Sequence, residues 1–206
     1  MKRQLPDFHC EELLWAQGYR SVCGLDEAGA GPLAGPVYAA AVILRPDAVP
    51  QGLNDSKKLT EKQRERLFHE ICESAAAYAV ASVSAEEIDR INILNARMLA
   101  MERARAALSV ASDFALIDGN CNRGIAQPNR TLVGGDGLSL SIAAASILAK
   151  VSRDRYMVQE LDALYPQYGF AKHKGYGTRL HYQMLDAYGA CPAHRVSFLK
   201  KWEAKR

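Results

Sequence analysis

The apolar positions of the chain fall into short runs that end at glycine, proline or acidic residues. Runs of this length with such boundaries are typical of buried strands. They predict strands at residues 22–26, 37–44, 78–83, 114–117 and 131–133. The first two strands are joined by a segment rich in glycine and proline, residues 29–36, which we call the glycine loop.

Helical spacing accounts for most of the remaining chain. Thr60 with Gln63 and Ser84 with Glu87 have the spacing of capping boxes, in which each side chain bonds the other's backbone N–H. Helices are expected over residues 1–20, after Thr60, from Ser84 to about 110, from Ser139 to Pro166, after Thr178 and over 196–206. Strands joined first by a tight loop and later by helices predict an α/β fold with a mixed sheet flanked by helices.

Composition narrows the class of protein. A chain of 206 residues, 49% hydrophobic and 24% charged, suits one domain with at most a small appendage. The net charge of +3 gives no general bias toward binding nucleic acid. A nucleic-acid partner must therefore be inferred from local clusters of basic residues. Five scattered cysteines without C-x-x-C spacing argue against a zinc motif or a disulfide framework. Without a signal-peptide or membrane-spanning pattern, we expect a cytoplasmic protein that acts as a monomer away from membranes.

Acidic residues recur where predicted strands end. Asp26, Glu27, Asp118 and Asp136 each lie at or just after the carboxyl end of one. Carboxylates gathered in one cleft repel each other unless cations neutralise them, and oxygen-only ligands suit Mg²⁺ or Mn²⁺. Two such ions about 4 Å apart activate water and stabilise the leaving oxygen of a phosphodiester, which is nuclease chemistry. Taken singly, Asp118-Gly119 and Gly135-Asp136 are more often ordinary turns than parts of a metal site.

Five motifs in register resemble ribonuclease HII, the type 2 ribonuclease H. They are GLDEAGAGPLAGPV at 24–37, LIDGN at 116–120, GGD at 134–136, SIAAASILAKVSRDR at 141–155 and KHKGYGT at 172–178. The resemblance implies a ribonuclease H-like catalytic domain over residues 1–164 and a helical carboxy-terminal extension over 165–206 that contributes to substrate binding.

The activity implied by this resemblance is endonucleolytic. It is cleavage of RNA in RNA–DNA hybrids and at single ribonucleotides embedded in duplex DNA, leaving 3′-hydroxyl and 5′-phosphate ends. The resemblance makes Asp26, Glu27, Asp118 and Asp136 the catalytic acids, which hold two Mn²⁺ or Mg²⁺ ions.

One position of the glycine loop departs from the family pattern. The family reads Gly-Arg-Gly there and recognises the ribose 2′-hydroxyl, whereas this chain has Gly29-Ala30-Gly31. Ala30 removes a planar cation suited to phosphate or sugar contacts. Backbone groups of the loop can still bind the 2′-hydroxyl, which distinguishes RNA from DNA. We therefore expect retained chemistry with weaker or less selective substrate binding.

Other substrate contacts are expected from aromatic and basic residues. In the family, the tyrosine matching Tyr176 stacks on the sugar next to the scissile ribonucleotide, and nearby basic residues suit such a site. The helix after Ser139 is expected to point its basic side chains outward. Candidate phosphate contacts are Lys57, Lys150, Arg153 and Lys174, together with Lys58 and Arg179.

Two readings from other classes compete. Residues 29–34 formally fit the G-x-G-x-x-A fingerprint of dinucleotide-binding proteins, but Gly35-Pro36 interrupts the helix that this motif requires, and a strand-like run follows. The second reading is a non-catalytic module that binds RNA–DNA hybrids on the same fold. The presence of all the catalytic acids argues against it, because carboxylates facing phosphates do not help a protein that only binds.

Overall fold

The fold is built on one mixed sheet. The computed structural model describes residues 5–204, apart from the side chain of Lys201. Within that part, the strands are β1 (Val22–Ala28), β2 (Val37–Ile43), β3 (Ala77–Val83), β4 (Phe114–Asp118) and β5 (Asn129–Leu132). They lie in the order β3-β2-β1-β4-β5.

Strand direction determines where the acidic residues meet. β1 pairs in parallel with β4, and β4 in parallel with β5, whereas β2 is antiparallel to β1. The carboxyl ends of β1, β4 and β5 therefore lie at one edge of the sheet. Leu25 is in register with Ile117, which puts the following residues, Asp26 and Asp118, side by side on neighbouring strands.

Helices cover both faces of the sheet. In chain order they are α1 (His9–Trp15), α2 (Glu61–Ser74), α3 (Ala85–Ile91), α4 (Ile93–Ala106), α5 (Leu140–Tyr156), α6 (Asp162–Leu164), α7 (Phe170–His173), α8 (Arg179–Tyr188) and α9 (Val196–Glu203). Alternation along β2 assigns the faces: Ala39 and Ala41 pack in the core shared with α3 and α4, while Ala40 and Val42 pack in the core shared with α2 and α5.

Helix α5 lies unusually close to β1. A Cβ atom at Gly24 would stand 2.2 Å from the backbone carbon of Ser141, so only glycine permits this approach. Ser139 caps the helix by accepting a hydrogen bond from the N–H of Ile142 at 3.2 Å. The helix is thereby fixed across the strand that carries Asp26.

The carboxy-terminal elements pack against the glycine loop. Ala34 belongs to the same buried cluster as Tyr168, Phe170 and Ala193, and it forms a backbone bridge with His194. The division of the chain at residue 164 stays a prediction. Within residues 5–204, no helix is both long and apolar enough to cross a membrane.

Several sequence predictions are confirmed. The mixed α/β fold, the strands and both capping boxes are present, with small shifts at strand ends. The first two strands are joined by the glycine loop without a helix, which contradicts the dinucleotide-binding reading. The amino-terminal helix is shorter than expected, and residues 1–4 of that prediction lie outside the described part, as do residues 205–206 of the last helix.

Other predictions need correction. The long helix expected from Ser84 to about 110 is two helices, α3 and α4, separated at Asn92, which has a φ of 65°. Asparagine tolerates this left-handed region better than most residues, and its side chain caps α4. The helical stretch expected from Ser139 to Pro166 is present, but a π-helical turn, Met157–Leu161, divides it into α5 and α6.

Candidate active site

Asp26 occupies the centre of the acidic edge. It is 6% exposed, and its Oδ1 accepts a hydrogen bond of 2.6 Å from the N–H of Glu27. Burial raises the pKa of Asp26 well above its ordinary value, and the neighbouring carboxylates of Glu27, Asp118 and Asp136 raise that pKa further. The sequence-predicted acids are thus electrostatic neighbours, although they come from distant parts of the chain.

Glu27 points to the opposite face of β1, toward α4. Its Oε1 lies 2.7 Å from Nη2 of Arg97, which sequence reasoning had missed. Burial raises the pKa of Glu27, although Arg97 acts in the opposite direction. Within residues 5–204, buried Oε2 of Glu27 and Nε of Arg97 have no hydrogen-bond partner. One carboxylate oxygen is therefore buried and without a partner among the described residues.

Asp118 and Asp136 are connected through the turn between β5 and α5. Oδ1 of Asp118 accepts a 2.7 Å hydrogen bond from the N–H of Gly135, the residue before Asp136. Asp55, a second residue that sequence reasoning had missed, lies close enough to Asp136 for the two carboxyl groups to shift each other's pKa. Burial, with Asp55 and Asp118 nearby, raises the pKa of Asp136 to about 6.

Lys57 supplies positive charge to this acidic cluster. It follows Asp55 in a single helical turn, Ser56–Lys58, whose start is capped by the Asp55 side chain. Burial alone lowers the pKa of the Lys57 ammonium, yet the net shift is upward because several carboxylates act on it. Those carboxylates are Asp136, Asp26, Asp55 and Asp118.

One cavity joins Asp26 and Glu27 to the predicted recognition elements, whereas Asp118 and Asp136 are not part of its lining. It has a volume of ≈ 300 Å³. Its lining includes most of the predicted site residues: Asp26, Glu27, Gly29, Ala30, Gly31, Lys57, Lys150 and Tyr176. Tyr176 is 44% exposed and so is accessible to a ligand in this cavity, which we call the groove.

The donor set of this cavity fits a hard divalent cation. Among the described residues, no three or more His, Cys, Asp or Glu side chains are placed so that together they could hold a metal ion. The residues nevertheless fit such an ion, because the cluster combines a buried carboxylate, repelling neighbours and the unpartnered oxygen of Glu27. A cation at this edge would offset the repulsion that, in addition to burial, raises the pKa values of Asp26 and Asp136.

The candidate phosphate contacts separate into different environments. Lys57 and Lys150 line the cavity, and Nζ of Lys150 also lies 2.8 Å from Oδ1 of Asp154. Lys174 lies outside the cavity lining and bonds the carbonyl of Ala171 with its ammonium group.

Arg153 requires a correction. It was expected to point outward from α5, but it is only 1% exposed. Its guanidinium group donates to the carbonyl oxygens of Pro36, Ala34 and Lys174 at 3.0, 3.2 and 3.1 Å. An arginine that binds the glycine loop from behind in this way cannot also reach a phosphate in the groove.

The segment that carries Tyr176 is supported by histidines. Nδ1 of His181 lies 3.0 Å from the carbonyl oxygen of Tyr176, and its Nε2 lies 3.0 Å from Nε2 of His194. His181 and His194 are buried, and burial lowers the pKa of each to about 4. Both imidazoles are therefore neutral at physiological pH and serve as an uncharged support for the Tyr176 backbone.

Comparisons with known proteins agree on one family. A family model described as Ribonuclease HII matches residues 23–201. A protein named Ribonuclease HII from Caldicellulosiruptor bescii is 53% identical over 193 residues, which cover 94% of this chain and 93% of that protein. Another of that name, from Dechloromonas aromatica, is 58% identical over 177 residues, covering 86% of this chain and 90% of that protein. The crystal structure of ribonuclease H2 from Pyrococcus horikoshii OT3 has a TM-score of 0.73 at 26% identity, covering 90% of this chain and 98% of that one.

Proposed function

This chain belongs to the ribonuclease HII family and is a ribonuclease H-type endonuclease acting on RNA in RNA–DNA hybrids, and on that premise we propose how it selects and cleaves its substrate. The proposed substrates include duplex DNA with a single embedded ribonucleotide. The proposed cut lies on the 5′ side of the ribonucleotide and leaves 3′-hydroxyl and 5′-phosphate ends.

The observation that supports this proposal is one groove shared by acids and recognition elements. Asp26 and Glu27 lie beside the glycine loop and Tyr176 in the same cavity. The acids are of the kind that hold a divalent cation, while backbone amides and an aromatic ring suit a sugar–phosphate backbone with its 2′-hydroxyl. Chemistry and recognition therefore meet at one place.

We assign the binding of divalent ions to the acidic edge. Asp26, Glu27, Asp118 and Asp136 would hold two Mn²⁺ or Mg²⁺ ions. When bound, such ions supply activation of the attacking water and stabilisation of the leaving 3′ oxygen.

The chain's own residues then orient the substrate. Lys57 and Lys150 line the groove and offer positive charge to the phosphodiester backbone. Tyr176 offers a half-exposed ring against which a deoxyribose can stack. The hydrogen bond from Gly135 keeps Asp118 in a fixed orientation at the end of β4. These residues position the phosphodiester backbone of the substrate for attack without forming a covalent bond to it.

Product mapping on a duplex with one embedded ribonucleotide tests the proposal. We expect cleavage only with Mn²⁺ or Mg²⁺, one cut 5′ to the ribonucleotide, and ligatable 3′-hydroxyl and 5′-phosphate ends. An all-DNA duplex of the same sequence is the matched control and should stay intact. A cut elsewhere, or 2′,3′-cyclic phosphate ends, would contradict the proposal.

The same experiment addresses the alternative of a non-catalytic hybrid-binding module. Such a module would bind the duplex in EDTA and leave it intact when Mn²⁺ is added. The raised pKa of Asp26 argues against it, because a pure binding protein has no use for repelling carboxylates in its groove.

A further inference from the structure

We propose that Arg195 is a positioning residue for 2′-hydroxyl recognition. Its guanidinium group holds the glycine loop so that the amide N–H groups of Ala30 and Gly31 face the substrate groove. This inference rests on the function proposed above and extends it to a residue that never touches substrate. It gives the backbone of the loop a way to bind the 2′-hydroxyl although Ala30 replaces the family's arginine.

Arg195 is buried and bound almost entirely to this one loop. It has 0% exposure although it precedes α9 near the end of the chain. Its Nη2 donates to the carbonyl oxygen of Gly29 at 2.7 Å, its Nη1 to that of Ala30 at 3.0 Å, and its Nε to that of Gly35 at 2.9 Å. Three carbonyls of one loop are thus fixed by a single planar group, which a flexible ammonium cannot do.

The orientation of the amides follows from peptide geometry. In a trans peptide, the C=O of one residue and the N–H of the next point in opposite directions, and no peptide of the described residues is cis. Because the carbonyls of Gly29 and Ala30 point at Arg195, the N–H groups of Ala30 and Gly31 point away from it. Both residues line the groove, and within the described chain neither N–H has an acceptor.

Arg153 secures the same loop from a second side. Its bonds to Ala34 and Pro36 fix the end of the loop, and its bond to Lys174 connects the loop to the segment that carries Tyr176. The two guanidinium groups leave little room: a Cβ atom at Gly29 would stand 2.0 Å from Nε of Arg153. We call Arg153 and Arg195 together the arginine clamp.

The charge of the clamp is unusual for a buried site. Within residues 5–204, neither arginine forms an ion pair with a carboxylate. The Asp89 carboxylate raises the pKa of Arg195 from a distance, but its oxygens bind the N–H groups of Val196 and Ser197 at 2.7 and 3.0 Å. Burial, reinforced by Arg153, lowers the pKa of Arg195 to about 9, so the group remains charged at neutral pH.

This uncompensated charge has a consequence for the loop. A cation bonded to a carbonyl polarises the peptide and makes the N–H on its far side a stronger donor. The amides of Ala30 and Gly31 therefore become better donors toward an oxygen in the groove, such as a ribose 2′-hydroxyl. A purely structural arginine would stabilise the loop without affecting the choice between ribose and deoxyribose.

The test measures selectivity separately from catalysis. Arg195→Lys keeps the positive charge but loses the planar fork, and Asp118→Asn in the same protein prevents cleavage. The Kd is measured by fluorescence anisotropy for a duplex with one ribonucleotide and for the all-DNA duplex. We define the Kd ratio as the Kd for the all-DNA duplex divided by the Kd for the duplex with one ribonucleotide. We expect this ratio to be about tenfold lower than in Asp118→Asn alone, as the loss of about one hydrogen bond predicts.

A matched control uses an arginine far from the groove. Arg103 pairs with Glu87 at 2.9 Å on the outer surface of α4, so Arg103→Lys in the Asp118→Asn background should keep the Kd ratio unchanged. The thermal unfolding midpoint of each variant is compared at the same time. Arg195→Gln, which loses the charge as well, should lower the ratio at least as far as Arg195→Lys.

The outcomes separate this inference from the proposed function. If wild-type protein does not cleave the ribonucleotide-containing duplex, the proposed function fails, and the inference with it. If wild-type protein cleaves it and Arg195→Lys retains the full Kd ratio, only the positioning role is overturned. An equal loss of affinity for both duplexes would assign Arg195 a merely structural role and would also overturn the inference.

Discussion

The acidic edge and the arginine clamp are two charged clusters on either side of one loop, and they are organised in opposite ways. At the acidic edge, Asp26 is buried among carboxylates that repel it, and an oxygen of Glu27 has no partner in the described chain. In the clamp, Arg195 donates three hydrogen bonds to carbonyl oxygens. One cluster is electrostatically incomplete, whereas in the other each guanidinium nitrogen has a hydrogen-bond partner.

This difference indicates a division of labour. A cluster with unfavourable repulsion gains most from binding a cation, so the acidic edge is suited to take up metal and perform chemistry. A cluster with satisfied donors gains nothing from a ligand and instead keeps its surroundings rigid. Substitutions should therefore affect activity at the acidic edge, and stability or selectivity at the clamp.

The largest effect is expected at the acidic edge. Asp118→Asn removes a negative charge from the proposed metal ligands and should lower kcat by about three orders of magnitude, while an amide still accepts the Gly135 hydrogen bond. Steady-state cleavage of an RNA–DNA hybrid measures this. Asp47→Asn, on an exposed turn, is the control and should behave like wild type. A rate for Asp118→Asn within tenfold of wild type would remove Asp118 from the site.

The next effect belongs to the clamp and concerns stability. Arg153→Met leaves the carbonyls of Ala34, Pro36 and Lys174 without their donor and should cost about 3 kcal/mol of unfolding free energy. Chemical denaturation measures it. The control is Arg155→Met on the same helix, whose partly exposed ion pair with Glu65 should contribute at most about 1 kcal/mol. Equal losses of unfolding free energy in the two variants would mean that Arg153 contributes no more to stability than a partly exposed ion pair.

A smaller effect is expected when the missing cation is restored. Ala30→Arg returns the family's Gly-Arg-Gly and should lower the KM for hybrid substrate by about tenfold with little change in kcat, because the new guanidinium contacts phosphate or sugar. Ala30→Gln, which is polar and uncharged although shorter than arginine, shows how much of the gain comes from the added side chain without its charge. The gain should shrink as salt increases. An unchanged KM and an unchanged preference for the junction between RNA and DNA would show that the clamp alone suffices for recognition.

The smallest effect concerns how the stability of the acidic edge depends on pH. The pKa of Asp136 rises from 3.8 to about 6 on folding, so the folded state holds the proton more tightly. The resulting stabilisation is complete below pH 3.8 and is lost as pH rises through about 6. In EDTA, wild-type protein should lose about 1 kcal/mol more than Asp136→Asn between pH 4 and 7, after allowance for solvent screening. The opposite slope, or one unaffected by Mn²⁺, would contradict this picture.

Much of this arrangement could be predicted from the sequence because it depends on local pattern. Short apolar runs ending in Asp26 and Asp118 identified the strands and the acids at their ends, whereas the edge at which these acids meet depends on the parallel pairing of β1, β4 and β5. The break at Asn92 was missed because neither glycine nor proline marks it, and the helical spacing continues on both sides.

The partners of the site were missed for a different reason. Arg153 and Arg195 are charged residues, for which exposure is the sound default, and their burial depends on carbonyls of a loop far away in the chain. Asp55 and Arg97 come from segments without any motif, and only the tertiary fold brings them to Asp136 and Glu27. Sequence pattern therefore revealed the acids themselves but not the groups that tune them.

The most direct test of this division of labour is a Mn²⁺ titration followed by electron paramagnetic resonance, without substrate. We predict that wild-type protein and Arg195→Lys bind Mn²⁺ alike, whereas Asp26→Asn and Asp118→Asn bind it at least tenfold more weakly. Equal Mn²⁺ affinity in Asp26→Asn and wild type would contradict the account, because the metal would then be held somewhere other than the acidic edge.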